Sequence, residues 1–138
     1  MRVSVLSSLT ALAMSTLVFA QITPPIYDEV SFSSKYTDTN ASVDTLTCGD
    51  QLAAEGYATV GAIPGNIAGF ANITSADSSL CGKCYVLEYA GAFLTVRVVD
   101  TAGDGFVVTK GAYETLTGNQ TPIPPSVDAR VLEGPTSC

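Results

Sequence analysis

Side chains alternate across a β-strand with period two, so an apolar–polar alternation marks a strand with one buried face. The longest such alternation runs through Tyr85–Tyr89 and Ala92–Val99, on either side of Ala90-Gly91. Read as a hairpin with a two-residue turn, it puts Tyr85, Leu87, Tyr89, Ala92, Leu94, Val96 and Val98 on one uncharged face. Glu88, Thr95 and Arg97 fall on the other. Asp100 continues the apolar row beyond Val98. A carboxylate at the mouth of an apolar face is a candidate functional group, and partial desolvation is expected to raise its pKa.

Around this hairpin the pattern is shorter-ranged. Val30-Ser31-Phe32-Ser33 alternates like a half-buried strand after a loose lead-in that holds Pro24-Pro25. Tyr36 to Asp44 is polar and loop-like, and Asp50 to Glu55 predicts a short helix ended by Gly56. Tyr57 to Ile63 reads as a strand stopped by Pro64-Gly65. Beyond a turn at residues 101–105 that holds two glycines, Phe106-Val107-Val108 resumes a strand. Thr109 then caps a helix from Lys110 to Thr117, with Gly118 at its end. Ala112, Tyr113 and Leu116 form its inner stripe. After the Pro-rich loop 121–125, Val127 to Leu132 is a last strand. About six short strands with one or two small helices predict a mainly β fold, closed into a barrel.

The N-terminus adds an address. Met1-Arg2 is followed by a mainly apolar run from Leu9 to Ala20, ending in Val18-Phe19-Ala20. This reads as a secretory signal over residues 1–20, cleaved before Gln21, with a single domain over 21–138. The run is too short for a membrane span, so no membrane insertion is expected. Export makes the four cysteines, Cys48, Cys81, Cys84 and Cys138, read as two disulfides. Their spacing leaves three pairings open, including a Cys81–Cys84 redox loop, and a zinc site lacks the ligands it would need. Asn40, Asn72 and Asn119 head three glycosylation sequons.

Composition then closes off chemistry. The chain has no His, which removes Ser-His-Asp and Cys-His catalysis and imidazole metal sites. No metal and no cofactor is expected, and any acid–base work would fall to carboxylates. Only Lys35, Lys83, Arg97, Lys110 and Arg130 face all 13 carboxylates beyond the signal, so a nucleic-acid partner is not expected. Asp50 and Asp100 are candidate hydrogen-bond acceptors for a ligand, with Tyr36 and Tyr57 as candidate ring faces. For Asp100 two other roles remain open: holding the following glycine turn through its backbone N–H groups, or serving as one acid of a hydrolase.

Several segments together resemble the cerato-platanin family of small secreted fungal proteins. They are Val30-Ser31-Phe32 with Tyr36-Thr37-Asp38, Cys48-Gly49-Asp50, Ala62-Ile63-Pro64 with Ile67-Ala68-Gly69, Cys81-Gly82-Lys83-Cys84-Tyr85, Val99-Asp100, Gly105-Phe106 and the final Cys138. The resemblance implies a six-stranded double-psi β-barrel related to the expansin N-terminal domain, with bridges Cys48–Cys81 and Cys84–Cys138. It implies a shallow groove for cell-wall oligosaccharide, either N-acetylglucosamine oligomers or glucans. It also implies recognition by a host immune receptor, as an elicitor, allergen or immunomodulator. The chain departs from the family pattern in carrying Thr101 in place of His, Ser33 in place of Asp and no Trp. The alternative implied by the expansin kinship is wall loosening or weak glycoside hydrolysis using Asp100. Lytic relatives of that fold carry their acid in a His-Phe-Asp segment, and here the matching stretch is Gly105-Phe106-Val107. Val107 cannot carry a proton, and the nearby Asp104 reads as a solvated turn residue between two glycines, so a non-catalytic protein is expected.

Overall fold

The computed structural model describes residues 23–138; the secretory signal expected over residues 1–20 lies outside the described residues. Six strands, β1 (Ile26–Phe32), β2 (Asn66–Phe70), β3 (Cys84–Tyr89), β4 (Ala92–Thr101), β5 (Phe106–Val108) and β6 (Ser126–Thr136), close into a barrel in the order β1-β5-β2-β4-β3-β6. β1 runs parallel to β5 and β2 parallel to β4, the two crossover pairings of a double-psi barrel, and the remaining pairs are antiparallel. Closure leaves no free sheet edge.

The β3–β4 hairpin has the expected register, with Tyr89 opposite Ala92, Leu87 opposite Leu94 and Tyr85 opposite Val96. Ala90 and Gly91 both adopt positive φ, as a twisted two-residue turn requires. The apolar row faces inward, and Tyr85, Leu87, Leu94, Val96 and Val98 are all buried. At the core, Phe70 and Phe106 stack with ring centres 4.2 Å apart, and Tyr85 packs edge-on against Phe106 at 5.2 Å. The ring of Tyr85 lies where a side chain on Gly134 would sit, so β6 passes it on a bare backbone.

Two short helices cover the barrel. α1 (Gly49–Ala54) follows Cys48, and α2 (Lys110–Thr117) starts at Thr109, whose hydroxyl accepts from the Ala112 N–H at 3.2 Å. Gly118 ends α2 in the left-handed conformation, and Ala112, Tyr113 and Leu116 point into the core. Cys48 is bonded to Cys81 and Cys84 to Cys138, the pairing the family resemblance implies. The loops closed span 33 and 54 residues. On the chain-entropy model each removes roughly 4 kcal/mol of freedom from the unfolded state.

Three local expectations need correction. Tyr57–Ile63 is not a strand: Thr59 makes one isolated bridge to Ser42, and Val60–Ala62 forms a 3-10 turn. The strand that fills this part of the barrel is β2, whose residues 67–70 are all buried and therefore show no alternation. The lead-in is also shorter than expected, because β1 already begins at Ile26 and pairs with β6 from Val131.

Candidate functional site

Asp100 lies where the hairpin pattern places it, at the end of the inward row of β4, and it is 1% exposed. A buried carboxylate must be hydrogen-bonded, since an unpaired charge in a low-dielectric interior is costly. Its partners come from two distant segments. The hydroxyl of Tyr36 donates to Oδ2 at 3.1 Å, and the ammonium of Lys35 pairs with the same oxygen. Thr47 donates twice to Oδ1, from its backbone N–H at 2.9 Å and its hydroxyl at 2.7 Å. The Thr47 hydroxyl in turn accepts from the Thr101 N–H at 3.2 Å.

This arrangement reverses the expected pKa of Asp100. Burial does push it upward, as the sequence argument has it. The hydrogen bond from Lys35, the two from Thr47 and the charge of Lys35 outweigh burial and hold the carboxyl below its usual range. Nor does Asp100 brace the glycine turn that follows it; its donors are Lys35, Tyr36 and Thr47. Tyr36 moves the other way: burial, the Asp100 charge and its hydrogen bond to Asp100 all raise its phenol well above the tyrosine range. The Tyr36 ring is 4% exposed, so it packs in the core and offers no open face to a sugar.

Of the four residues singled out from the sequence, the structure joins only Tyr36 and Asp100. Neither Asp50 nor Tyr57 hydrogen-bonds to that pair. Asp50 is exposed in the first turn of α1. Tyr57 is half-buried, with the Arg97 guanidinium carbon 5.9 Å from its ring centre. Arg97 also faces Glu55 at 3.7 Å. Lys35 and Thr47 were missed because their role depends on contacts 65 and 53 residues away along the chain, for which no local pattern exists. Asp104 is exposed, and the side chains of Asn40, Asn72 and Asn119 are exposed as glycan attachment requires.

The described surface carries concavities, two of them near these residues. A small one of about 210 Å³ lies beside Tyr36, between Thr39, Val60 and Ile67. A larger cleft of about 580 Å³ lies on the outside of the barrel, floored by β3 and β4 and walled by the C-terminal residues. No cluster of three or more metal-ligating side chains occurs among the described residues.

Comparison with known proteins agrees with this frame. The Cerato-platanin family profile matches residues 29–138. The chain is 32% identical over 117 residues to an Allergen Asp f 15 homolog of Arthroderma benhamiae, covering 79% of this chain but only 57% of that relative's length. The crystal structure of cerato-platanin 3 from M. perniciosa superposes with a TM-score of 0.71 at 27% identity, over 78% of this chain and 95% of that one. The solution structure of the fungal elicitor cerato-platanin does so with a TM-score of 0.61 at 26% identity, over 75% of this chain and 91% of that one. With the profile spanning nearly all of the barrel and both disulfides closing inside it, this chain belongs to the cerato-platanin family.

Proposed function

We propose that this chain is an exported protein that binds cell-wall glycan without cleaving it and is recognised by host innate immunity as an elicitor or allergen. The observation that carries the non-catalytic part is the state of Asp100. Glycoside hydrolysis needs two carboxyl groups, one of them held protonated at working pH. Asp100 accepts four hydrogen bonds, carries a lowered pKa and is shut away from solvent, the opposite of a general acid. Position 107, where lytic relatives of the fold carry their acid, is Val.

Export is supported by two disulfides, by exposed sequon asparagines and by the absence of a helix long and apolar enough to cross a membrane among the described residues. The immune reading is supported by family membership and by the names of the relatives, one an allergen homolog and one an elicitor.

The test uses the purified secreted chain. Incubation with chitin and with cellulose is expected to give a bound fraction and no new reducing ends, and exposure of host cells is expected to give a defence or cytokine response. Reducing sugar released by the wild type but not by a folded Asp100→Asn variant overturns the non-catalytic reading. Absence of binding to every wall glycan overturns the glycan part, and absence of a host response overturns the immune part.

A further inference from the structure

We propose that Tyr27 is a modification site, at which a haem peroxidase with hydrogen peroxide joins its ring to a small uncharged phenol. The site is separate from the Asp100 hub and does not depend on glycan binding. The sequence leaves a one-electron oxidant little else to attack. It has no Trp and no His, and both methionines, Met1 and Met14, fall within the expected signal. Free Cys and Met are the usual points of side-chain oxidation. All four cysteines are already held in disulfides. Beyond the signal the six tyrosines remain.

The fold sorts these six. Coupling joins ring carbons ortho to the hydroxyl, so a second ring must reach the ring edge, and burial forbids that approach. Tyr36, Tyr85 and Tyr113 are buried. The hydroxyls of Tyr36 and Tyr113 also donate to Asp100 and to the Pro124 carbonyl. Tyr57 and Tyr89 are half-buried against the core, and Arg97 lies over the Tyr57 ring. Tyr27 is 60% exposed. Val30 of the same strand is buried in the core, so Tyr27, an odd number of residues away, stands on the outward side of β1. Its backbone is fixed by pairing with Arg130 on β6. Closure of the barrel therefore displays this phenol on a rigid strand, with its ring edge open to solvent.

The step balances as follows. Through the peroxidase, hydrogen peroxide takes one electron and one proton from the Tyr27 phenol and the same from the free phenol, and leaves as two waters. The two phenoxyl radicals form a carbon–carbon bond between ortho positions. The ortho hydrogens then move to the oxygens and restore both phenols, so the adduct is the sum of the two less two hydrogens. Charge selects the partner. Glu29, the next outward residue of β1, and Asp128 opposite it are both exposed beside Tyr27, and Arg130 is itself opposed by Glu88. Beyond the signal 13 carboxylates face five cations. Two copies of the chain therefore repel each other at low ionic strength, as the chain repels an anionic phenol, whereas an uncharged phenol meets no such barrier.

The experiment treats the full secreted chain at low ionic strength with a haem peroxidase, hydrogen peroxide and N-acetyltyramine, and maps adducts by mass spectrometry of the reduced peptides. The expected result is an adduct on the peptide that holds Tyr27, with the blue fluorescence of a coupled bisphenol. The label is lost in Tyr27→Phe, an exposed position where removal of the hydroxyl leaves the fold intact, as circular dichroism checks. Tyr57→Phe and Tyr89→Phe keep it. Label undiminished in Tyr27→Phe, or shared equally with the Tyr57 and Tyr89 peptides in the wild type, overturns the site. No adduct, while a tyrosine-containing reference peptide in the same tube is labelled, overturns it as well. Covalent dimers of the chain as the main product overturn the small phenol as partner.

Discussion

Replacing Asp100 with Asn separates two accounts of the same carboxylate. If burial alone governed it, the neutral amide would relieve a desolvation cost and stabilise the barrel at neutral pH. The structure argues the reverse. Asn can still accept from the N–H and hydroxyl of Thr47, but it loses the charge that receives Lys35 and Tyr36 on Oδ2. Hydrogen bonds to a charged group contribute about 1.5–3 kcal/mol each when buried. The Lys35 side chain is half exposed and returns to water at little cost, so its share is discounted. The expected loss for Asp100→Asn is about 2–4 kcal/mol, roughly 8–16 °C in Tm for a domain of this size. Asp100→Ala, which also orphans Thr47, loses more. The pH dependence fixes the sign. A carboxyl whose folded pKa is depressed contributes stability above its unfolded pKa and loses it as pH falls through the folded pKa. The gap between wild type and Asp100→Asn in urea unfolding is therefore full at neutral pH and closes in strong acid. A variant as stable as the wild type at neutral pH, or a gap that widens on acidification, refutes the reasoning.

The same hub constrains its neighbours. A Cβ on Gly69 would lie 2.5 Å from the Tyr36 hydroxyl and 2.8 Å from the Thr101 carbonyl oxygen. Gly69→Ala is therefore expected to cost about 1–3 kcal/mol in urea melts, while Gly103→Ala, with open space around it, stays near wild type. Burial raises the phenols of Tyr36, Tyr85 and Tyr113. In an ultraviolet pH titration these three of the six tyrosines should ionise late; stability present below the ordinary tyrosine pKa is then lost as pH rises through the raised values. Six tyrosines titrating together in the folded protein would contradict this. Removing the Cys84–Cys138 bridge by a double Ala replacement is expected to lower stability by roughly 4 kcal/mol, measured in denaturant without reductant.

The residues alone specified whatever depends on neighbours in sequence. Period-two alternation set the β3–β4 hairpin, its register and the inward position of Asp100; the Thr109 and Gly118 caps bounded α2; the missing histidines removed whole classes of catalysis. The cysteine pairing was legible only through the family resemblance, because spacing left three choices. Tertiary structure decided the rest. β2 was invisible because a strand buried on both faces does not alternate, and its glycine is dictated by a tyrosine hydroxyl from another segment. The electrostatic character of Asp100 was decided by Lys35 and Thr47, which closure of the barrel brings to it from more than 50 residues away. A sequence pattern reports which side of a strand is buried, but the pKa of a buried charge depends on its spatial neighbours, and only the folded chain selects those.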